Sequence, residues 1–334
     1  MKIYLFVFVI FLSACGEAIV GGKTSNTPES NFDAFWQEYD QHFANFESRD
    51  INWKAQYDQF RPKVNTTTTQ EELWTILTDM LKVIGDPHCS IWGDNRYFNS
   101  ANNAFYRARE IFNLHLVSDF LTDKGLSDDK AFHFGKVSDS IAYLHIWNFV
   151  DTDIENLISI IDSMGETKGL ILDIRSNSGG HPNNVSKIAS LFAEQSKLVF
   201  SRRFKNGEGH DDFTEFTDIY LEPNPSFSYL KPVVLLTNNA SVSAADGFAM
   251  TMSELDNVTI MGENTAGAFS TFNVKTLPNG WTFTVSYTQV FNANGENLEG
   301  MGVSPDIYLE ADIDSLAIGV DNVLQAAISH IENK

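Results

Sequence analysis

At 334 residues, with 43% hydrophobic and 13% aromatic content, the chain can bury a large core, which excludes an intrinsically disordered protein. Its formal net charge of −21, with no cluster of Lys or Arg, excludes a nucleic-acid partner, which needs a basic face, and disfavours an acidic substrate. The eight histidines and two cysteines are dispersed without metal-ligand spacing, so neither metal nor cofactor is expected.

In chain order, Lys2 precedes an apolar run from Ile3 to Leu12, followed by Ser13, Ala14 and Cys15. The run is too short for a permanent membrane span and reads as an export signal over residues 1–14. Leu12-Ser13-Ala14-Cys15 resembles a bacterial lipoprotein signal. That resemblance implies a lipid on Cys15, attachment to a membrane of the bacterial cell envelope, and Cys89 as the free thiol. Residues 15–30 are small and polar, which suits a flexible tether.

The fold is expected to begin near Asn31, as a helical N-terminal subdomain over residues 31–92. Phe32, Phe35, Trp36, Tyr39 and Phe43 recur at helical spacing, and Trp53, Tyr57 and Phe60 continue the aromatic face. Thr69 and Glu72 form a capping box before the stripe Leu73, Ile76, Leu77, Met80, Leu81 and Ile84, which Gly85 ends. Residues 93–136 have weak periodicity and read as an irregular connector. From 137 to 334 short β-rich runs alternate with helices: strands at 141–147, 169–174, 233–237 and 258–261, and helices at 153–164, 184–192 and 243–255. The alternation implies a layered α/β core with parallel strands. Residues 281–289 alternate with Thr282, Thr284, Ser286 and Thr288 on one face, the pattern of a half-exposed strand.

Three segments carry candidate chemistry. In the first, the strand 233–237 runs through Asn238-Asn-Ala-Ser241-Val into Ser243-Ala-Ala-Asp246, presenting a serine at the carboxyl edge of a sheet and the start of a helix. Free backbone N–H groups there favour developing negative charge, although Ser243 and Asp246 equally fit an ordinary Ser-x-x-Asp cap. In the second, the strand 169–174 ends in Asp173-Ile-Arg175-Ser-Asn177-Ser-Gly179-Gly180, whose glycines let backbone approach a ligand, or make a plain turn beside a structural Asp–Arg pair. The third is Gly85-Asp86-Pro87-His88-Cys89, a histidine past a helix stop. Adjacent residues on extended chain point apart, which argues against Cys89 and His88 as a nucleophile and base pair.

These segments, with Gly262-Glu-Asn-Thr265-Ala-Gly267 and Gly302-Val-Ser-Pro305-Asp306, resemble the tail-specific (C-terminal processing) protease family in order over about residues 31–310. The resemblance implies an α/β fold: a crotonase-like (ClpP-type) β/α spiral core with an N-terminal helical subdomain. It implies a serine endopeptidase acting on unstructured or C-terminal peptide segments, without the PDZ domain that many members carry, since 93–136 is too short for one. By the same resemblance Ser243 is the nucleophile, and Gly179, Gly180 and Ala244 supply the oxyanion hole. Ala268 occupies the place of the lysine used by the Ser–Lys branch, and Lys275 lies beyond it on the next strand. The tricorn-core-like Ser–His branch instead draws its base from the loop matching His88, assisted by a glutamate matching Glu299, although Pro87 replaces the serine that precedes that histidine. The alternatives are a non-catalytic lipoprotein that binds a peptide or apolar ligand on the same fold, and an acyl-CoA enzyme, which an exported location disfavours.

Overall fold

The computed structural model describes residues 25–112, 114, 117, 127–129, 132–150 and 153–333. The predicted signal, Cys15 and the first part of the tether lie outside them. Thr27 caps helix α1 (Pro28–His42) in a reciprocal box with Ser30, so the end of the expected tether is helix, and the fold begins at Pro28 rather than near Asn31. α2 (Trp53–Phe60) and α3 (Gln70–Lys82) follow, the latter started by the predicted box, Glu72 N–H to Thr69 Oγ1 at 3.2 Å and Thr69 N–H to Glu72 Oε2 at 2.8 Å. Phe32, Phe35 and Tyr39 pack with Trp53, Leu73, Leu77 and Leu81 in one buried cluster.

Helices alone do not close that cluster. Ile91 from β1 (Ser90–Gly93) enters it, as do Trp281, Phe283 and Val285 from nearly two hundred positions later. β1 pairs with β2 (Arg96–Asn99) and with β12 (Thr282–Ser286), which pairs with β11 (Phe272–Thr276), giving an antiparallel sheet ordered β11-β12-β1-β2. The N-terminal subdomain is therefore not the contiguous helical segment 31–92. The expected irregular connector is also largely built where it is described, as β2, α4 (Asn103–Ile111), β3 (Ser127–Asp129) and most of β4 (Phe132–Ser138).

The second unit is a seven-stranded sheet ordered β14 (Ile307–Tyr308), β10 (Val258–Gly262), β9 (Val233–Thr237), β6 (Gly169–Asp173), β5 (Ile141–Ile146), β4, β3. From β14 to β5 it is parallel; β4 and β3 add antiparallel edges. Leu170, Leu172 and Leu235 point to a cluster with α5 (Ile154–Ser163), α6 (Pro182–Ala189) and α7 (Ala244–Met252). Ile171, Val234 and Leu236 point oppositely, to Val323, Leu324, Ala327 and Ile331 of α9 (Asn322–Glu332), a helix absent from the sequence reading that follows short α8 (Ile313–Ala317). Strands covered on both faces explain the uninterrupted apolar runs read as strands.

The expected half-exposed strand at 281–289 is corrected. It breaks at Tyr287 into β12 and β13 (Thr288–Asn292), and β13 joins a third sheet with β7 (Lys197–Phe204) and β8 (Thr217–Leu221). Thr284, Ser286 and Thr288 are buried, and Thr284 and Ser286 hold the loop that carries His88. Among the described residues no helix is long and apolar enough to cross a membrane.

Candidate active site

β9 is buried along its length and ends at the turn 238–242. Ser241 Oγ donates to Ile174 O at 2.9 Å and accepts from Asn238 N–H at 3.1 Å, while Val242 N–H donates to Asn177 O at 3.1 Å. Ser241 thus knits the turn to the end of β6 and is not a nucleophile. Ser243 follows with φ +65° and ψ −118°, a conformation costing a non-glycine residue on the order of 1–3 kcal/mol and held only where the surroundings impose it. Asp246 imposes it: its Oδ2 accepts Ser243 N–H at 2.8 Å and Ala268 N–H at 3.2 Å, and its Oδ1 accepts Gly267 N–H at 2.8 Å. Burial pushes Asp246 up to about 6 against these donors, so at neutral pH it remains an ionised acceptor. The Ser-x-x-Asp cap is therefore present through Asp246 and the Ser243 N–H, and Ser243 itself is half-buried.

Gly179 lies directly against this turn. A Cβ there would stand 2.7 Å from Ser243 Cβ, 2.8 Å from Val242 O and 3.0 Å from Ala244 N. The three residues expected to make the oxyanion hole divide in role. Gly179 N–H is donated to Asn177 Oδ1 at 2.8 Å, whereas no hydrogen bond among the described residues engages Gly180 N–H or Ala244 N–H. Gly179 supplies space, and the unengaged donors are its neighbours. Asp173 and Arg175 form the structural pair: Arg175 Nη2 is 2.6 Å from Asp173 Oδ2 and 2.9 Å from Asp321 Oδ2, tying α9 to the sheet.

His88 comes from the other unit. Asp86 Oδ1 accepts His88 N–H at 2.8 Å, Asp86 Oδ2 accepts Ser286 Oγ at 2.6 Å, Thr284 Oγ1 donates to His88 O at 2.5 Å, and Asn99 Nδ2 donates to Pro87 O at 2.7 Å. The imidazole lies beside Phe272, ring centroids 5.3 Å apart, and its Nδ1 is buried without a hydrogen bond, 3.7 Å from Asp86 Oδ1. Burial lowers its pKa below 6.5, Asp86 opposes that, and Arg49 adds to it, so the ring is neutral at pH 7. Asp86, buried yet facing Arg49 and His88, sits below the usual carboxylate range. Cys89 is buried with its thiol pushed well up, which removes it as a nucleophile.

Glu299 is buried, and its partners are Arg49 Nη2 at 2.6 Å and Phe269 N–H at 3.0 Å rather than the imidazole. Burial pushes it up to about 8 against the pull of Arg49, but both oxygens accept from N–H groups, the arrangement of an ionised carboxylate. The carboxylate beside His88 is Asp86, part of the quoted loop but given no role from sequence. Lys275 Nζ is 3.0 Å from Glu38 Oε2, and Ala268 is buried. No hydrogen bond joins Ser243 to His88 in this structure. The two are linked through loop 265–269, which Asp246 holds on one side and Glu299 on the other. Catalytic contacts that are long in a ligand-free site commonly tighten with substrate.

A strained serine at a strand-to-helix turn, unengaged N–H groups beside it and a buried neutral histidine on the facing unit are the kinds of group that serine-type acyl transfer uses. The pattern of Peptidase family S41 matches residues 140–309, and that of the Tricorn protease C1 domain matches residues 25–82. The chain belongs to Peptidase family S41. It is 28% identical over 173 residues to the carboxy-terminal processing protease CtpA of Bacillus subtilis, covering 51% of this chain and 35% of that one, so it spans little more than a third of that relative's length. A crystal structure from Parabacteroides merdae, assigned to the peptidases, superposes with TM-score 0.85 at 30% identity over 92% of this chain and 97% of the other. Mature CPAF complexed with lactacystin shares the fold at TM-score 0.68 and 13% identity, over 93% and 100% of the two chains.

Proposed function

We propose that the protein is a serine endopeptidase that cleaves unstructured or C-terminal peptide segments through an acyl-enzyme on Ser243. The observation that carries this is the Ser243 turn: a left-handed serine packed on Gly179, with Ala244 and Gly180 N–H groups unengaged. His88 takes the hydroxyl proton as Ser243 Oγ attacks the substrate carbonyl, and the two N–H groups receive the oxyanion. The imidazolium then gives its proton to the leaving amine. Water, deprotonated by the same ring, releases the acyl group and restores Ser243. Asp86 supports the imidazolium, and Glu299 acts on it at a remove, through Arg49. Protein starting at residue 16 should hydrolyse an unstructured fluorogenic peptide and be labelled by a fluorophosphonate, and Ser243→Ala should lose both with its fold intact. Undiminished hydrolysis by Ser243→Ala would remove the assignment, and inactivity of the wild-type protein across a broad peptide library would favour a binding role.

The pattern Leu12 to Cys15 supports a further part of the reading, that a lipid on Cys15 anchors the protein to the bacterial envelope, since several acyl chains give stable attachment where the polar segment 16–27 offers no apolar face. Cys15→Ser should move the protein from the membrane to the soluble fraction. Unchanged partitioning contradicts the anchor.

A further inference from the structure

Arg49 stands in the turn after α1, on a segment fastened to β12 and β13. Ala44 N–H donates to Ser286 O at 2.9 Å, Asn45 Nδ2 to Thr288 O at 3.1 Å, and Gln289 Nε2 to Ala44 O at 2.7 Å. From this base the guanidinium reaches three loops. Nη1 donates to Gly85 O at 2.9 Å, in the loop that carries His88. Nη2 donates to Gly267 O at 2.8 Å, in the loop that Asp246 holds against the Ser243 turn, and to Glu299 Oε1 at 2.6 Å. Asp86 Oδ1 is 3.9 Å from the same nitrogen. The side chain is 6% exposed and its Nε is buried without a partner, so its desolvation is offset through the two terminal nitrogens.

We propose that Arg49 is a positioning residue for the Ser243 centre, holding the His88 loop, the 265–269 loop and the Glu299 turn in one arrangement from the N-terminal unit. The inference rests on the reading of Ser243 and His88 as nucleophile and base. A planar fork spreads its donors in fixed directions over two separated nitrogens and so reaches two carbonyls and a carboxylate on three loops, whereas a lysine's three donors radiate from one nitrogen. Charge acts alongside geometry. Asp86 and Glu299 bring two carboxylates to one guanidinium, and the excess negative charge lies next to His88, where it favours the imidazolium that forms as Ser243 is deprotonated. The other groups packed against this cluster are the Cys89 thiol, the Tyr39 hydroxyl and the Ser286 hydroxyl, all uncharged at neutral pH. A purely structural ion pair would set the melting temperature and nothing else.

The experiment measures kcat and KM on a fluorogenic peptide, the melting temperature, and the His88 titration midpoint by NMR, assigned through His88→Gln, in the wild type, Arg49→Lys and Arg49→Met. Both folded variants should lose about 10²-fold in kcat, the penalty for roughly 1 Å of misplacement, with KM little altered. Loss of the positive charge in Arg49→Met should move the His88 midpoint upward, because Arg49 depresses it. Arg49→Lys should keep the midpoint near its wild-type place while still losing kcat. Wild-type kcat in folded Arg49→Lys, or an unmoved His88 midpoint in folded Arg49→Met, overturns the inference. If Arg49→Met does not fold, Arg49→Lys decides it. If the wild-type protein has no peptidase activity, the proposed function fails on its own account, and the Arg49→Met midpoint decides the role of Arg49, the Arg49→Lys midpoint doing so should Arg49→Met also fail to fold.

Discussion

Replacing Gly179 by alanine should disable the proposed nucleophile, Ser243, without unfolding the protein. The residue sits at φ +83°, where an L side chain costs roughly 1–2 kcal/mol. The new Cβ would lie 2.7 Å from Ser243 Cβ, 2.8 Å from Val242 O and 3.0 Å from Ala244 N. Carbon atoms pack at about 3.5–4.0 Å, so one side must retreat by roughly 1 Å. Gly179 is held from behind, its N–H by Asn177 Oδ1 and its carbonyl by Phe149 N–H, both at 2.8 Å, so the serine turn is the side that moves. A misplacement of about 1 Å costs roughly 10²-fold in rate. Ala244 N–H shifts with the turn, so the loss should fall on kcat/KM for peptide hydrolysis and on the fluorophosphonate labelling rate together. A melting curve should show a folded protein destabilised by about 2 kcal/mol, the backbone cost with some residual strain. A folded Gly179→Ala protein with unchanged kcat/KM would refute the packing argument and, with it, the placement of the nucleophile against this glycine.

The rise of kcat/KM with pH should be centred below 6.5, because burial holds the His88 imidazole neutral; a midpoint above 6.5 would contradict the assignment of the base. Asp86→Asn removes the charge and one of the two oxygens that accept His88 N–H and Ser286 Oγ, and should cost about 10²-fold in kcat, the low end of what general-base catalysis contributes. Lys275→Ala should leave kcat unaltered, since its ammonium pairs with Glu38; a full loss would return the base to lysine. His145, buried between His133, Phe112 and Asp173, is held down to about 4, first by burial, with Arg175 and His133 adding and Asp173 opposing. Its unfolded form binds a proton below 6.5 while the native form does not, so stability is full above 6.5 and lost as pH falls. About 2 kcal/mol should go between pH 6.5 and about pH 5 through His145, so urea denaturation should find the slope reduced by that amount in His145→Phe, with the part due to His88 remaining.

Several features were legible in the sequence because they are local. The Thr69–Glu72 box, the aromatic stripe of α1, the buried runs of β6 and β9 and the strand-turn-helix around Ser243 are set by residues within about one helical turn or one strand of each other, where periodicity and capping chemistry act. Tertiary structure decided what joins distant segments. Ser286 was read on an exposed face because an alternating Thr and Ser pattern is the same whether that face meets water or another chain segment; its hydroxyl instead holds Asp86, 200 residues away. Arg49 carried no signal at all, since its partner Glu299 is 250 positions distant and a lone arginine after a helix looks like any surface cation. Gly179 and Gly180 were indistinguishable as a pair until the backbone showed one N–H spent on Asn177 and the other left open. A local pattern specifies how a segment folds, but which side chains meet across the interface of two units depends on loop closures that no spacing along the chain encodes.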